Sequence, residues 1–265
     1  MMLKRFIIRL CLCYNEPQMS IRNQRGFTII ELLLFLAVSA ALFVALMVGV
    51  NSNIVQQQYR DSVAAYSGVL QQQYSEVENT KNEKREDRQY KCANSDVEEV
   101  TIGSQPRGAS ECVIMGRFVR VVDNGTKIET GSIIGSKPAS EAGLLSDTLT
   151  VLAYKPKLST VAADLVKQDI TWGSKLTVPS TDSTASTMSF VIIRSPLSGL
   201  IRVYTSVDAI PSTLTNMITE DASKLKTKVC VEAADLLAGP RYSVEINPTI
   251  AGPNGIVTRS GDEQC

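Results

Sequence analysis

Glu31 is the most conspicuous chemical group in this sequence. It lies in residues 27–50, FTIIELLLFLAVSAALFVALMVGV, where only Thr28, Glu31, Ser39 and the small Gly49 interrupt the apolar side chains. A carboxylate carried into hydrocarbon costs about 2.5–3.5 kcal/mol on insertion scales, and such a group marks function by default. The chemistry open to it is pairing with a cation in the same surroundings, which recovers part of the desolvation penalty. The apolar run itself offers it no partner. Just upstream stand Arg25, Gly26 and Phe27. A basic residue holds that junction at the cytoplasmic face of a membrane. Glycine lets a second protein approach the backbone closely, as a protease must.

The second reactive set is the thiols. Cys11 and Cys13 precede the apolar run, and Cys92, Cys112, Cys230 and Cys265 come after it. None of the latter four forms a CxxC pair, which argues against zinc. An even number in a segment destined for export argues for two disulfides. Four cysteines allow three connectivities. Closure of local loops favours Cys92–Cys112 and Cys230–Cys265, tying the end of an N-terminal helix to a first strand and a Gly-rich tail to a late one.

Other chemistry is absent. The chain has no histidine, so the commonest general base and the commonest metal ligand are missing. There is no GxxxxGK[ST] loop, no HExxH and no GxSxG. No enzyme activity, cofactor or metal is expected, a membrane-anchored enzyme with an unrecognised site being the lesser alternative. Arg117, Arg120 and Lys127 offer a basic strip for DNA, though a solvated sheet face is the simpler reading. Trp172 reads as a core residue. Asn124-Gly125-Thr126 spells a glycosylation acceptor, but Asp123–Thr126 reads first as a hairpin turn.

Charge places these groups. The chain has 27 basic and 27 acidic residues. Residues 1–26 hold Lys4, Arg5, Arg9, Arg22 and Arg25 against Glu16, which makes them +4 and the remainder −4. A basic head before an apolar run keeps the head cytoplasmic and sends the residues beyond the run across the membrane. The acidic remainder disfavours a general nucleic-acid binder. Residues 27–50 form a helix of about 36 Å, long enough to cross a bilayer. A cleaved signal peptide would be shorter, with small residues after it.

The helix does not stop there. No proline occurs between Pro17 and Pro106. Val55, Tyr59, Val63, Tyr66, Leu70, Tyr74 and Val77 recur at steps of three and four, a helical stripe. The spacing predicts an amphipathic continuation over 51–91, with the exported domain beginning at 92. Period-two and β-branched runs then predict strands at Val113–Val122, Lys127–Ile134, Thr148–Tyr154, Met188–Arg194, Leu200–Thr205, Lys228–Glu232 and Tyr242–Ile246. Ser195–Gly199 predicts a second hairpin turn, and 136–147 and 173–187 read as loops. The expected fold is α+β: a long N-terminal helix packed on a C-terminal antiparallel β-rich domain over 92–265.

Gln24-Arg25-Gly26-Phe27-Thr28-Ile29-Ile30-Glu31-Leu32-Leu33 closely resembles the processing site of type IV prepilins and type II secretion pseudopilins. The resemblance implies that a prepilin peptidase cuts after Gly26, removing the leader 1–26, and that Phe27 becomes an N-methylated amino terminus. It implies that Glu31 guides assembly by meeting the Phe27 amine of a neighbouring subunit. The implied partners are the peptidase, other pilin or pseudopilin subunits, an inner-membrane assembly platform and the membrane itself. The implied location is the cytoplasmic membrane with the C-terminal domain exported, then a surface filament or pseudopilus. Val191–Tyr204 and Gly239–Ile246 with the Gly-rich tail resemble H-type minor pseudopilins, which implies a minor subunit. DNA-uptake pilins share the scaffold. Two features depart from the pattern: the apolar helix lacks the proline common in pilins, and the leader is long. Met19 opens a shorter leader, MSIRNQRG, and is favoured as the start, leaving Cys11 and Cys13 outside the product.

Overall fold

The computed structural model describes residues 28–79, 90–93, 96–99, 112–140, 145–160, 162, 164–179, 187–206, 214–219, 221, 226–233, 240–248, 252–261 and 265. The chain divides into two compact units, Met1–Val50 and Asn51–Cys265. Helix α1, Ile29–Glu78, runs from the first into the second.

In the first unit α1 is exposed along its whole length except at Ser39, which is half-buried. This stretch is long and apolar enough to cross a membrane, with a mean hydropathy of 2.7 in its best window. In the second unit the predicted stripe becomes core: Tyr59, Val63, Tyr66, Leu70, Tyr74 and Val77 are all buried. α1 ends sooner than its sequence suggests. Val77 is the last buried apolar side chain of α1, and its last residue, Glu78, is followed by Asn79, a poor helix former. Tyr90 and Lys91, expected to be helical, instead open strand β1, Tyr90–Ala93, which pairs with β2, Asp96–Glu99. The Cys92–Cys112 disulfide ties this segment to the sheet below.

All recorded strand pairings are antiparallel. Strands β3 (Cys112–Val122) and β4 (Lys127–Ser136) form the central hairpin of a six-stranded sheet. β8 (Met188–Arg194) and β9 (Ile201–Ser206) extend it past β3, while β5 (Lys157–Leu158) and β6 (Val166–Asp169) pair with β4. A four-stranded sheet runs β12 (Ile256–Ser260), β11 (Tyr242–Ile246), β10 (Thr227–Glu232), β7 (Lys175–Thr177). β7 lies in a stretch that reads as loop, because three residues are too few to show a period.

One face of the six-stranded sheet supplies Val119, Val121, Ile128, Phe190 and Ile192 to the core shared with α1 and with Val229, Val231 and Val244 of the other sheet. The opposite face packs Phe118, Ile133, Val191, Ile193 and Tyr204 against Val151, Tyr154, Leu214 and Ile218. Burial on both faces explains why β8 reads MSFVIIR, nearly unbroken in apolar character, rather than alternating.

Thr148–Tyr154, predicted as a strand, is helix α2, Asp147–Ala153. Its β-branched residues imitate a strand, but Ser146 caps it, accepting from the Leu149 amide at 3.2 Å. Thr148 and Val151, three residues apart, bury together on one helical face. Asp123–Thr126 does form the β3–β4 turn, through positive φ at Asp123 (52°), Asn124 (55°) and Gly125 (84°). Ser195–Gly199 turns β8 into β9, with the Gly199 amide donating to the Ser195 carbonyl at 2.9 Å. Below it, Ser195 Oγ donates to Asp147 Oδ1 at 2.5 Å. Burial raises the Asp147 carboxyl pKa, but bonds from Ser195, Ser198 and Arg202 outweigh it and leave the pKa below the usual range.

The core phenols differ in their bonding. Tyr59 Oη donates to the Val231 carbonyl at 2.5 Å and accepts from the Tyr242 amide at 2.8 Å. Tyr66 Oη is fully buried without a partner among the described residues. Tyr59→Phe is therefore expected to lower unfolding free energy by about 1–3 kcal/mol, whereas Tyr66→Phe leaves it unchanged or raises it. Urea titration of the two variants in detergent checks this ordering; equal losses would contradict the bonding scheme.

Candidate functional site

The start of α1 is built by Thr28. Its hydroxyl accepts from the Glu31 amide at 3.3 Å, and Glu31 Oε2 accepts from the Thr28 amide at 3.0 Å and from the Thr28 hydroxyl at 3.2 Å. This reciprocal arrangement is a capping box, which satisfies amides that a helix terminus leaves open. A carboxylate in the first turn also faces the positive end of the helix dipole. The signal is present in the sequence as Thr28-Ile29-Ile30-Glu31, the [ST]xxE pattern, but the expectation that Glu31 has no partner within its own chain overlooks it. Gly26 and Phe27 lie outside the described residues.

Beyond the cap, the large side chains of 29–50 are mostly more than half exposed. Withdrawing each from water is worth about 1.5–3 kcal/mol. This half of α1 is thus a surface for lipid or for other apolar helices.

The soluble half of α1 is held by polar contacts as well as by its stripe. Ser62 Oγ donates to the Thr171 carbonyl at 2.8 Å, and Ser174 Oγ donates to Ser62 Oγ at 3.1 Å. These bonds hold the short turn Thr171–Gly173 against the helix. Within it Trp172 has φ 59° and is 59% exposed, so it is not the core residue its type suggests. Left-handed backbone at Trp172 and Gly173 turns the ring outward.

The basic strip does not exist as such. Arg117 Nε donates to Gln73 Oε1 at 2.9 Å and pairs with Glu76 at 3.0 Å, and its Nη1 lies 3.6 Å from Asp164. Arg120 pairs with the buried Glu129 at 2.6 Å, and Lys127 with Asp123 at 2.9 Å. Each of the three faces a carboxylate, and Arg117 serves as a bolt between α1 and the sheet.

Cys92 is bonded to Cys112, with Cα atoms 5.2 Å apart, and Cys230 to Cys265, at 5.4 Å. The first joins β1 to the opening of β3. The second brings Cys265 back to β10, where Arg241 Nη1 donates to its carbonyl.

An N-terminal helix with an exposed apolar half, joined to an antiparallel β-rich domain stapled by two disulfides, has the build of a pilin-like protein. Residues 21–47 match the family model described as the prokaryotic N-terminal methylation motif. That match spans Gly26, Phe27 and Glu31 and identifies the N-terminal segment as a prepilin-type methylation motif. Neither the curated proteins nor the solved structures gave a match to this chain.

The cap and the second disulfide can each be tested by substitution. Thr28→Val is expected to cost the helix start about 1 kcal/mol, while Thr28→Ser keeps the cap. Amide exchange of residues 29–32 in micelles reads the difference, and unchanged protection in Thr28→Val would remove the capping role. Replacing Cys230 and Cys265 with serine is expected to destabilise the chain by about 3–4 kcal/mol in the chain-entropy model. Chemical denaturation measures that loss.

Proposed function

We propose that this chain is a structural subunit, of the minor kind, of a type IV pilus or type II secretion pseudopilus. The observation that carries the reading is the Gly26-Phe27-Glu31 motif at the head of a helix whose first half is apolar and exposed. A prepilin peptidase removes residues 1–26 and leaves Phe27 as a methylated terminus. Residues 27–50 anchor the chain in the cytoplasmic membrane with residues 51–265 exported. An assembly platform then draws the helix from lipid into a filament core, where the apolar surfaces of neighbouring subunits repack at roughly 25 cal/mol per Å². The role is assembly and not catalysis.

Glu31 has two tasks in this scheme. One carboxylate oxygen closes the cap, and the charge meets the Phe27 amine of a neighbour. Pairing of this kind fixes register more than it adds stability.

Co-expression with a prepilin peptidase is expected to yield a product beginning at Phe27, and Gly26→Val to block it. Mass spectrometry of the wild-type chain reads the terminus, and an intact head overturns the reading. Two substitutions separate the tasks of Glu31. Glu31→Gln retains the capping box and lacks the charge, whereas Glu31→Ala lacks both. Both variants are expected to insert in the membrane and to be poorly incorporated into filaments. If Glu31→Gln is incorporated normally, the charge pairing is wrong and the cap alone matters.

A further inference from the structure

The β3–β4 turn carries chemistry that filament assembly does not use. Asn124 is exposed and is followed by Gly125, which has no Cβ to shield its backbone nitrogen. That nitrogen can attack the Asn124 side-chain carbon, forming a five-membered succinimide. The carbon–nitrogen bond of the side-chain amide breaks, ammonia leaves, and water reopens the ring to aspartate or isoaspartate. The only co-reactant is water.

The fold opposes this reaction in three ways. Ring closure needs the Gly125 nitrogen nearly eclipsed with the Asn124 Cβ. Asn124 has φ 55°, and in the left-handed basin ψ is about +47°, which places that nitrogen anti to Cβ. The Gly125 amide is also occupied, donating to the Val122 carbonyl at 3.2 Å. Finally, the turn is docked: the Leu176 amide of β7 donates to the Gly125 carbonyl at 2.9 Å, and the Ile170 amide donates to the Thr126 carbonyl at 2.9 Å. The first of these bonds joins the central hairpin of the six-stranded sheet to an edge strand of the four-stranded sheet.

We propose that Asn124 is a self-modification site whose deamidation is gated by docking of the β3–β4 turn on β7. Reaction requires the turn to leave β7 and to abandon its left-handed geometry. The product does not return to the same place. Isoaspartate adds a methylene to the backbone before Gly125, where a single Cβ on Gly125 would already collide with the Leu176 carbonyl oxygen. It also sets a new carboxylate beside Asp123, which already holds Lys127 at 2.9 Å. Modification therefore records that the turn has opened and keeps the two sheets from being tied there again.

The full chain is incubated at neutral pH in detergent, either folded or reduced in urea, and peptide maps follow the mass gain at Asn124. The unfolded chain is expected to convert, and the folded chain to convert at least about tenfold more slowly, the factor for a local opening of about 1.4 kcal/mol. Gly125→Ala is the control, since it slows conversion of the unfolded chain. Refolded chains carrying isoaspartate are expected to unfold at lower urea than unmodified ones. Equal rates in the two states overturn the gating. An unconverted Asn124 in the unfolded chain, or one occupied by a glycan, overturns the site itself. An unchanged urea midpoint overturns the block to re-docking.

Discussion

Everything in this molecule depends on a single helix meeting two different surroundings. Residues 29–50 of α1 keep their apolar side chains exposed, and residues 59–77 bury a narrow stripe among two sheets. The same backbone serves both because an α-helix satisfies its own amides and carbonyls wherever it is placed. Only the side chains need to change. From Asn51 onward glutamine, arginine and aspartate enter on the outer face, while tyrosine, valine and leucine hold the inner one. The β domain supplies the inner face with apolar partners and leaves the outer one to solvent.

The stripe alone does not fix how α1 sits. Aliphatic contacts tolerate sliding, whereas hydrogen bonds do not. Polar attachments are spread along the soluble half, among them Tyr59 at β10 and β11, Ser62 at the turn before β7, and Arg117 bridging to Gln73 and Glu76. Between them Tyr66 brings a phenol into the core with nothing to bond among the described residues. Burial drives its pKa far above the ordinary value, since a phenolate there would have no compensation. Tyr66 therefore acts as a large apolar body, and its neighbours along the helix set the register.

Legibility in the sequence tracks length and exposure. The apolar run, the stripe and the hairpin at Asp123–Thr126 each repeat a simple signal over enough residues to be read. β8 and β11 are legible to the residue because strong β-formers meet clear turn residues at both ends. Thr148–Tyr154 misleads because threonine and valine favour strands only when a sheet receives them. Here Ser146 caps a short helix, and the sheet face takes Val151 and Tyr154 as a cover layer. Trp172 misleads because residue type says nothing of backbone sign, and two left-handed residues in succession are a tertiary outcome. The arginines read as open because sequence does not show that Glu129 and Asp164 lie across from them.

Glu31 shows why a local motif and a functional one can share a residue. A helix beginning in or near lipid has open amides and no water to satisfy them, so its first turn is costly to leave bare. The capping box answers that need with a threonine and a carboxylate three positions apart. The carboxylate then brings a charge that a glutamine would not. Capping explains the side chain's length and position but not its ionisation, because glutamine closes the same box. The helix dipole favours the charge by only about 0.3–1 kcal/mol, less than the roughly 2.5–3.5 kcal/mol that hydrocarbon costs it, so the main selection of glutamate over glutamine lies outside the cap. A cation delivered from elsewhere, at the same depth, is the simplest source of that selection. In the proposed assembly that cation is the amine of a neighbouring subunit cut before its Phe27, which is positive and lies one residue from that subunit's cap.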